Sequence, residues 1–337
     1  MQAHTRNSRK SSELPSGGVE RISAVVCPGA ERRMCHQSTH DLQPAEAEQG
    51  IPLPLRAELK QPALLSSGNT PSLGECLAIY LLSGVLLVTL GAALQYLHLF
   101  WGLAVSQIAV IAGPALLYTI LCHYDLPRSF FLRSIHIKTA LLTVMIACSA
   151  FVPVMVVAAL QELLLHRSPE YLALWAELMQ KLEQAPFLTA LCVIAVLPAV
   201  CEELFFRGFL LQGLRKKIPD APAVIAVGIL FGLFHLDFYR FLPVSLLGML
   251  FACLVVKTGS IFPAILSHGI NNAITLLLSR CSSRIQGIEQ LDRLQCEALL
   301  SVEDMLGMLP IVIIASSILW FAFRALPGVD EEPPDLL

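Results

Sequence analysis

Residues 202–207 of the 337-residue chain read Glu-Glu-Leu-Phe-Phe-Arg, and their three charges lie within an otherwise apolar run, 186–214. A charge at the centre of a bilayer is costly, so such charges are rare unless they are paired and used. On a helix, Glu203 and Arg207 are four residues apart and share a face, so they can form an ion pair. Glu202 points about 100° away and is left without that partner. A carboxylate that is out of water and unpaired binds a proton more readily, which suits a proton-accepting base.

The composition excludes an ordinary soluble domain. Hydrophobic residues make up 55% of the chain and charged residues only 15%, whereas about a quarter of the residues are charged in soluble domains. The net charge of -3 is too small to indicate nucleic-acid binding, and no basic block with interleaved aromatic residues occurs. We therefore expect an integral membrane protein that contacts the lipid bilayer and has no nucleic-acid partner.

The apolar runs predict an all-α fold, a polytopic membrane helical bundle of about eight transmembrane helices. Crossing a bilayer takes about 20 helical residues. A more polar stretch, 161–184, has apolar residues at helical spacing and predicts a helix lying at the membrane interface. The predicted spans are 76–97, 101–122, 138–160, 186–214, 221–235, 241–256, 260–278 and 305–323.

This pattern divides the chain into four parts. Residues 1–72 are polar and rich in Ser, Pro, Gln and Glu, and they predict a disordered cytoplasmic tail. Residues 73–185 hold the first three spans and the interfacial helix. Residues 186–280 form a membrane core with the charged motif, and residues 281–337 hold a loop, the last span and an acidic tail.

Lysine and arginine favour one side of the predicted bundle. With eight crossings, one side collects most of the basic residues next to the spans, while the other side is mainly acidic. Because cytoplasmic loops carry the excess of basic residues, both termini are predicted to be cytoplasmic. The basic residues on that side are Arg56, Lys60, Arg128, Arg133, Lys138, Arg215, Lys216, Lys217 and Lys257.

Three more polar side chains lie on the later spans. His235 ends the segment Phe-Gly-Leu-Phe-His at 231–235, and His268 and Asn272 are four residues apart on one helical face. At a rise of 1.5 Å per residue from the basic ends, Glu202 lies about 20 Å deep and His235 about 21 Å. The same count places His268 about 15 Å deep and Asn272 about 21 Å. We therefore expect these side chains to meet in one layer of the membrane.

Three motifs in chain order carry a family resemblance. Residues 202–207 (Glu-Glu-x-x-x-Arg), 231–235 (Phe-x-x-x-His) and 268–272 (His-x-x-x-Asn) resemble the signature motifs of the CPBP family. This family comprises the CAAX prenyl endoproteases of the Ras-converting type and their bacterial relatives. The resemblance covers about 187–279, and it implies an eight-span CAAX-type intramembrane endopeptidase with its site in a cavity open to the cytoplasm.

The resemblance also implies roles for six residues, and the chemistry leaves the cofactor open. Peptide hydrolysis needs an activated water and donors for the oxygen where negative charge develops. One carboxylate and two imidazoles can instead hold a divalent metal such as zinc; the set would be Glu202, His235 and His268. No His-Glu-x-x-His motif decides between no cofactor and a metal. The implied roles are the water-activating base for Glu202, its support for Glu203 and Arg207, and the remaining site groups for His235, His268 and Asn272.

The main hypothesis is hydrolysis of a peptide or a membrane-tethered protein near the cytoplasmic leaflet. A second hypothesis is a non-catalytic membrane interaction protein, or a bacteriocin-immunity-type protein, on the same fold. A third is an ion-coupled carrier in which Glu202 and the histidines relay protons. The carrier is the least favoured of the three because no internal repeat occurs in the sequence.

Overall fold

The computed structural model describes residues 69–165, 167–286 and 302–329. These residues are almost entirely helical and include no β-strand. Most of the predicted N-terminal tail, 1–68, lies outside the described residues, as do 287–301 and the acidic end, 330–337. The division into four parts therefore stays a prediction.

The described helices follow the predicted order of spans. Each predicted span, and the predicted interfacial segment, corresponds to one helix. A one-turn helix, Leu126–Ser129, follows the second span, and a 3-10 turn, Phe238–Arg240, lies between α6 and α7. The helices are α1 (Leu73–Leu97), α2 (Leu99–Leu121), α3 (Ile137–Leu164), α4 (Pro169–Gln184), α5 (Phe187–Arg215), α6 (Asp220–Phe234), α7 (Phe241–Thr258), α8 (Phe262–Gln286) and α9 (Val302–Ala325).

Six helices among the described residues are long and apolar enough to cross a membrane. They are α1, α2, α3, α5, α7 together with its preceding turn, and the part Gly307–Ala325 of α9. Helix α6 is apolar but has only 15 residues. Helix α8 has 25 residues but carries polar side chains, including His268 and Asn272. The polytopic helical bundle is confirmed, and the count of eight spans stays a prediction.

Local sequence signals explain where several helices begin and end. Ser72 caps α1, since its side chain accepts from the backbone of Glu75 while the Glu75 carboxylate accepts from the backbone of Ser72 at 2.6 Å. The Ser168 side chain caps α4 by accepting from the backbone of Tyr171, and a proline follows it at the first helical position. Gly259 ends α7 with a φ of 68°, a conformation that favours glycine.

Helix α5 lies at the centre of the bundle. Its side chains from Phe205 to Leu211 are all buried, including that of Arg207. The outer helices instead expose large apolar side chains: Leu81 of α1 is 65% exposed and Ile313 of α9 is 63% exposed. Large apolar side chains on the outside of a bundle are suited to lipid contact. The charged motif therefore lies on an enclosed stretch of α5.

Small residues bring α6 and α7 into close contact. A Cβ atom on Gly232 would meet the Ser245 hydroxyl, and one on Gly248 would lie 3.0 Å from the Cα atom of Gly228. Close backbone approach through small residues is typical of helix pairs in membranes. A Cβ atom added at Gly248 would also lie 3.2 Å from Nη2 of Arg207. This pair of helices therefore forms one wall around the arginine.

Candidate functional site

Glu203 and Arg207 form a buried ion pair behind the site. Both side chains are 0% exposed, and Nη1 of Arg207 lies 2.8 Å from Oε1 of Glu203. Nη2 of Arg207 donates to the carbonyl oxygen of Gly248 at 2.9 Å, and the guanidinium lies 4.3 Å from the ring centre of Phe231. The ion pair predicted from the spacing is present. We call these two residues the dry pair.

His268 connects the dry pair with Glu202. Its Nδ1 atom lies 2.8 Å from Oε1 of Glu203, and because a carboxylate can only accept, Nδ1 carries the proton. The ring stacks on Phe251 with 5.1 Å between ring centres. These contacts direct Nε2 toward Glu202, where it lies 3.9 Å from Oε2. That distance is too long for a direct hydrogen bond, but one water molecule can bridge the two atoms.

Glu202 is held by a residue that the sequence analysis did not identify. Its Oε1 atom accepts from Nε2 of Gln107 at 2.8 Å. Its Oε2 atom is buried and has no hydrogen-bond partner among the described residues. The depth count could have identified Gln107, because at 1.5 Å per residue it lies about 21 Å from the Leu121 end of α2. Gln107 therefore lies at about the same depth in the bundle as the predicted site residues.

His235 ends α6 at the edge of the site. Its Nδ1 atom lies 2.8 Å from the carbonyl oxygen of Phe231, so Nδ1 is the donor and Nε2 remains to interact with other groups. The next residue, Leu236, has a φ of 52°. This left-handed conformation, unusual for leucine, turns the chain directly after the histidine.

Asn272 reaches the site from α8 and bonds to the backbone of α5. Its Nδ2 atom donates to the carbonyl oxygen of Ile194 at 3.3 Å. Pro198 lies four residues after Ile194 and has no N–H with which to bond that carbonyl in a regular α-helix. A side chain from a neighbouring helix commonly satisfies such a carbonyl within a membrane. This hydrogen bond, like that of His268 with Glu203, joins α8 to α5 at the depth of the site.

Several site residues lie in or beside π-helical turns. Gln107 belongs to the turn Ser106–Ala112, Ile194 to Leu191–Val196, and Glu203 directly precedes Leu204–Leu210. A π-helical turn inserts an extra residue and so changes the direction of the side chains that follow. Such turns occur frequently at functional sites.

One cavity of about 380 Å³ brings together four of the six predicted residues. Glu202, His235, His268 and Asn272 line this cavity, together with Gln107. Glu203 and Arg207 do not line it, because they lie behind His268. Most of the wall is apolar, with a few polar groups at one depth, as is common for binding sites. The remaining wall comes from residues such as Leu99, Leu103, Leu178, Met179 and Leu247.

The cavity extends from mid-bundle toward the end that carries α4. Its outer wall includes Gln95 near the end of α1, Trp175 of α4 and Ser279 of α8. The distribution of Lys and Arg predicts that this end is not cytoplasmic. The family resemblance instead implies a cavity open to the cytoplasm. These two expectations disagree, and the orientation of the bundle decides between them.

Helix α4 is fastened to the turn that follows His235. The Tyr171 hydroxyl donates to Asp237 at 2.9 Å, and the Tyr171 ring packs on Tyr239 with 4.6 Å between centres. The guanidinium of Arg240 lies 5.2 Å from the ring centre of Trp175. Burial, and then the hydrogen bond to Asp237, raise the pKa of Tyr171, so its hydroxyl stays protonated and donating at neutral pH.

The described residues offer no ready metal site. Within them, no group of three or more His, Cys, Asp or Glu side chains is arranged to hold a metal ion. The predicted ligands Glu202, His235 and His268 do not form such a group in this geometry. The metal set stays a prediction, and no step proposed below depends on a metal.

Comparison with known protein families matches residues 184–274 to the family described as type II CAAX prenyl endopeptidase Rce1-like. The matched region contains all six predicted site residues, and Gln107 lies outside it. No curated protein and no solved structure gave a significant match. The match confirms the resemblance to the CPBP and CAAX protease family and indicates a CAAX-type intramembrane protease. With the six apolar helices, it supports an integral membrane protein.

Proposed function

We propose that the protein is an intramembrane endopeptidase that hydrolyses a peptide bond with a water molecule activated by Glu202. One observation carries the proposal: Oε2 of Glu202 and Nε2 of His268 lie 3.9 Å apart, and both residues line the cavity. Two proton acceptors at this separation can hold one water molecule between them and remove its proton.

The steps follow from the atoms that each residue presents. Glu202 takes a proton from the water, and the oxygen of that water attacks the carbonyl carbon of the peptide bond. Asn272 donates one N–H to the Ile194 carbonyl and can donate its second N–H to the developing oxyanion. His235 also lines the cavity and, with Nδ1 donating to the Phe231 carbonyl, offers Nε2 as an acceptor. Glu202 then passes its proton to the leaving amine, which completes the cycle.

The dry pair supports this chemistry without touching the substrate. Glu203 holds the Nδ1 proton of His268, and Arg207 holds Glu203. His268 therefore keeps one tautomer and one ring orientation, with Nε2 ready to accept from the water.

The substrate that fits these walls is an apolar peptide or the apolar end of a membrane-tethered protein. Apolar side chains surround the few polar groups of the cavity, so they favour apolar substrate residues beside the scissile bond. The matched family is described as a prenyl endopeptidase family, so a prenylated CAAX peptide is the first substrate to test.

The test compares the wild-type protein with Glu202→Gln and His268→Ala in liposomes. The probes are a farnesylated CAAX peptide and an unmodified apolar peptide library, with products identified by mass spectrometry. Removing a positioned acid or base lowers rates by about 10²–10⁴-fold, so we expect cleavage to fall by that factor while membrane insertion is unchanged. Retained cleavage in Glu202→Gln contradicts the proposal, and a cellular phenotype that survives this variant supports the non-catalytic interaction protein.

Metal dependence is tested on the same samples. Elemental analysis of the purified protein is paired with turnover in the presence of a chelator. The proposed mechanism predicts unchanged turnover and no stoichiometric metal. Bound zinc together with loss of turnover favours the set of Glu202, His235 and His268.

We further propose that both termini are cytoplasmic, as the basic residues predict. Two exposed cysteines allow a matched test, since Cys122 follows α2 at the basic end and Cys281 lies in α8 beyond Ser279. Each is kept alone in a variant whose other cysteines are replaced by serine. A membrane-impermeant maleimide on intact cells should label Cys281, and Cys122 only after permeabilisation. The reverse pattern places the cavity end in the cytoplasm and contradicts this orientation.

A further inference from the structure

Gln107 contacts Glu202 from outside the region that matches the family, residues 184–274. It lies on α2, in the π-helical turn Ser106–Ala112, and its Nε2 atom lies 2.8 Å from Oε1 of Glu202. The two carboxylate oxygens therefore have different surroundings. Oε1 is held by the amide, and Oε2 is left toward Nε2 of His268 at 3.9 Å.

A neutral donor suits a general base better than a cationic one. A hydrogen bond donated to a carboxylate favours its ionised form. An arginine donates such a hydrogen bond with a full positive charge, as Arg207 does to Glu203. That charge opposes protonation of the carboxylate. The amide of Gln107 adds no charge, so it holds Oε1 of Glu202 without placing a fixed cation beside the carboxylate.

The oxygen of the Gln107 amide can also interact with Glu202. Oε1 of Gln107 is buried and has no hydrogen-bond partner among the described residues. An amide rotated by 180° presents this oxygen as an acceptor. A protonated Glu202 can then donate to Gln107, so one side chain can bind both forms of the base.

On the basis of the proposed function, we infer that Gln107 is a positioning residue for Glu202. It holds Oε1 of the carboxylate, leaves Oε2 toward Nε2 of His268, and accommodates both protonation states. The residue acts through Glu202 and not on the substrate.

The test uses Gln107→Met, which keeps the length of the side chain and removes its hydrogen bonds. A hydrogen bond to a charged group accounts for about 10- to 100-fold in an equilibrium or rate, so kcat should fall on that order while KM changes less. The acid limb of the pH–rate profile should move to higher pH, because the ionised form of Glu202 loses its donor. Gln212→Met is the matched control: Gln212 is also a buried glutamine of a span, but it does not line the cavity.

Gln107→Glu gives a second and different signature. The introduced carboxyl group, while it is protonated, can replace the amide as donor, so activity should recover over part of the pH range. At higher pH the introduced carboxyl group and that of Glu202 both ionise and repel each other, so activity should fall on an alkaline limb that the wild type lacks. A merely structural role for Gln107 produces no such limb.

The outcomes separate this inference from the proposed function. If Glu202→Gln is inactive while Gln107→Met keeps the wild-type kcat and pH profile, the inference is overturned and the proposed function stands. If Glu202→Gln stays active, the proposed function fails. The contact is then tested by infrared titration, with the Glu202 carboxyl band assigned by difference from Glu202→Gln. The band should titrate at higher pH in Gln107→Met, and an unchanged titration overturns the inference.

Discussion

Glu202 and Glu203 are adjacent in the chain, yet the surroundings of the two carboxylates differ sharply. Glu203 is fully buried and accepts from both Arg207 and His268 on one oxygen. Glu202 is 8% exposed, lines the cavity and is held by the neutral amide of Gln107. A carboxylate paired with a buried cation is locked in its ionised form, whereas one held by an amide can exchange a proton. In the proposed mechanism, this difference in partner separates the supporting residue, Glu203, from the base, Glu202.

His268 lies on the boundary between these two regions. Its Nδ1 atom contacts Glu203 of the dry pair, and its Nε2 atom points toward Glu202. A change on the dry side should therefore affect both stability and activity, while a change on the cavity side should affect activity alone.

The largest expected effect comes from Arg207→Leu. This substitution leaves Glu203 as a buried carboxylate without its cation, which costs about 3–5 kcal/mol. We expect a matching loss in the free energy of unfolding, measured by SDS titration in detergent, and little active protein. Glu202→Gln, on the cavity side, should keep nearly the wild-type stability.

A double variant, Glu203→Gln with Arg207→Met, removes both charges of the dry pair. It should recover much of the lost stability, because no unpaired charge remains buried. It should stay weakly active, because His268 loses its carboxylate partner. An Arg207→Leu variant as stable as the wild type would show that the dry pair contributes nothing to the fold.

A smaller effect is expected from Gly248→Ala. The added Cβ atom would lie 3.0 Å from the Phe231 ring and 3.2 Å from Arg207, and overpacking of this kind costs about 1–3 kcal/mol. Thermal unfolding in detergent measures the loss. Gly307→Ala is the control, since a Cβ atom there meets nothing within 4 Å. Equal stability of the two variants would contradict the tight packing around the dry pair.

The smallest effect is expected from Tyr171→Phe, at the outer end of the cavity. It removes the hydrogen bond from α4 to Asp237, which is worth about 0.5–1.5 kcal/mol. We expect a modest rise in KM with little change in kcat, because α4 forms part of the wall but does not reach Glu202. Tyr96→Phe is the matched control, since Tyr96 is 91% exposed. A large fall in kcat for Tyr171→Phe would place α4 in the chemistry itself.

Several features of the site were predictable because they depend on distances along a helix. The four-residue spacing of Glu203 and Arg207 predicts their ion pair, and the depth count predicts that Glu202, His235 and His268 lie in one layer. The helices themselves follow from apolar runs and from end signals such as Ser72 and Gly259. Each of these relations is set by the rise and rotation per residue, which the sequence order specifies.

Apolar runs and helical spacing were enough to specify a bundle of apolar helices with an acid, two imidazoles and an amide at matched depth. The packing of the helices against one another set the contact of Gln107 of α2 with Glu202, and it placed the dry pair away from the cavity. It also decided that the cavity extends toward α4. The two differ because helix periodicity specifies depth and the residues that share a face, whereas side-chain packing sets how each helix is rotated and which helix lies beside it.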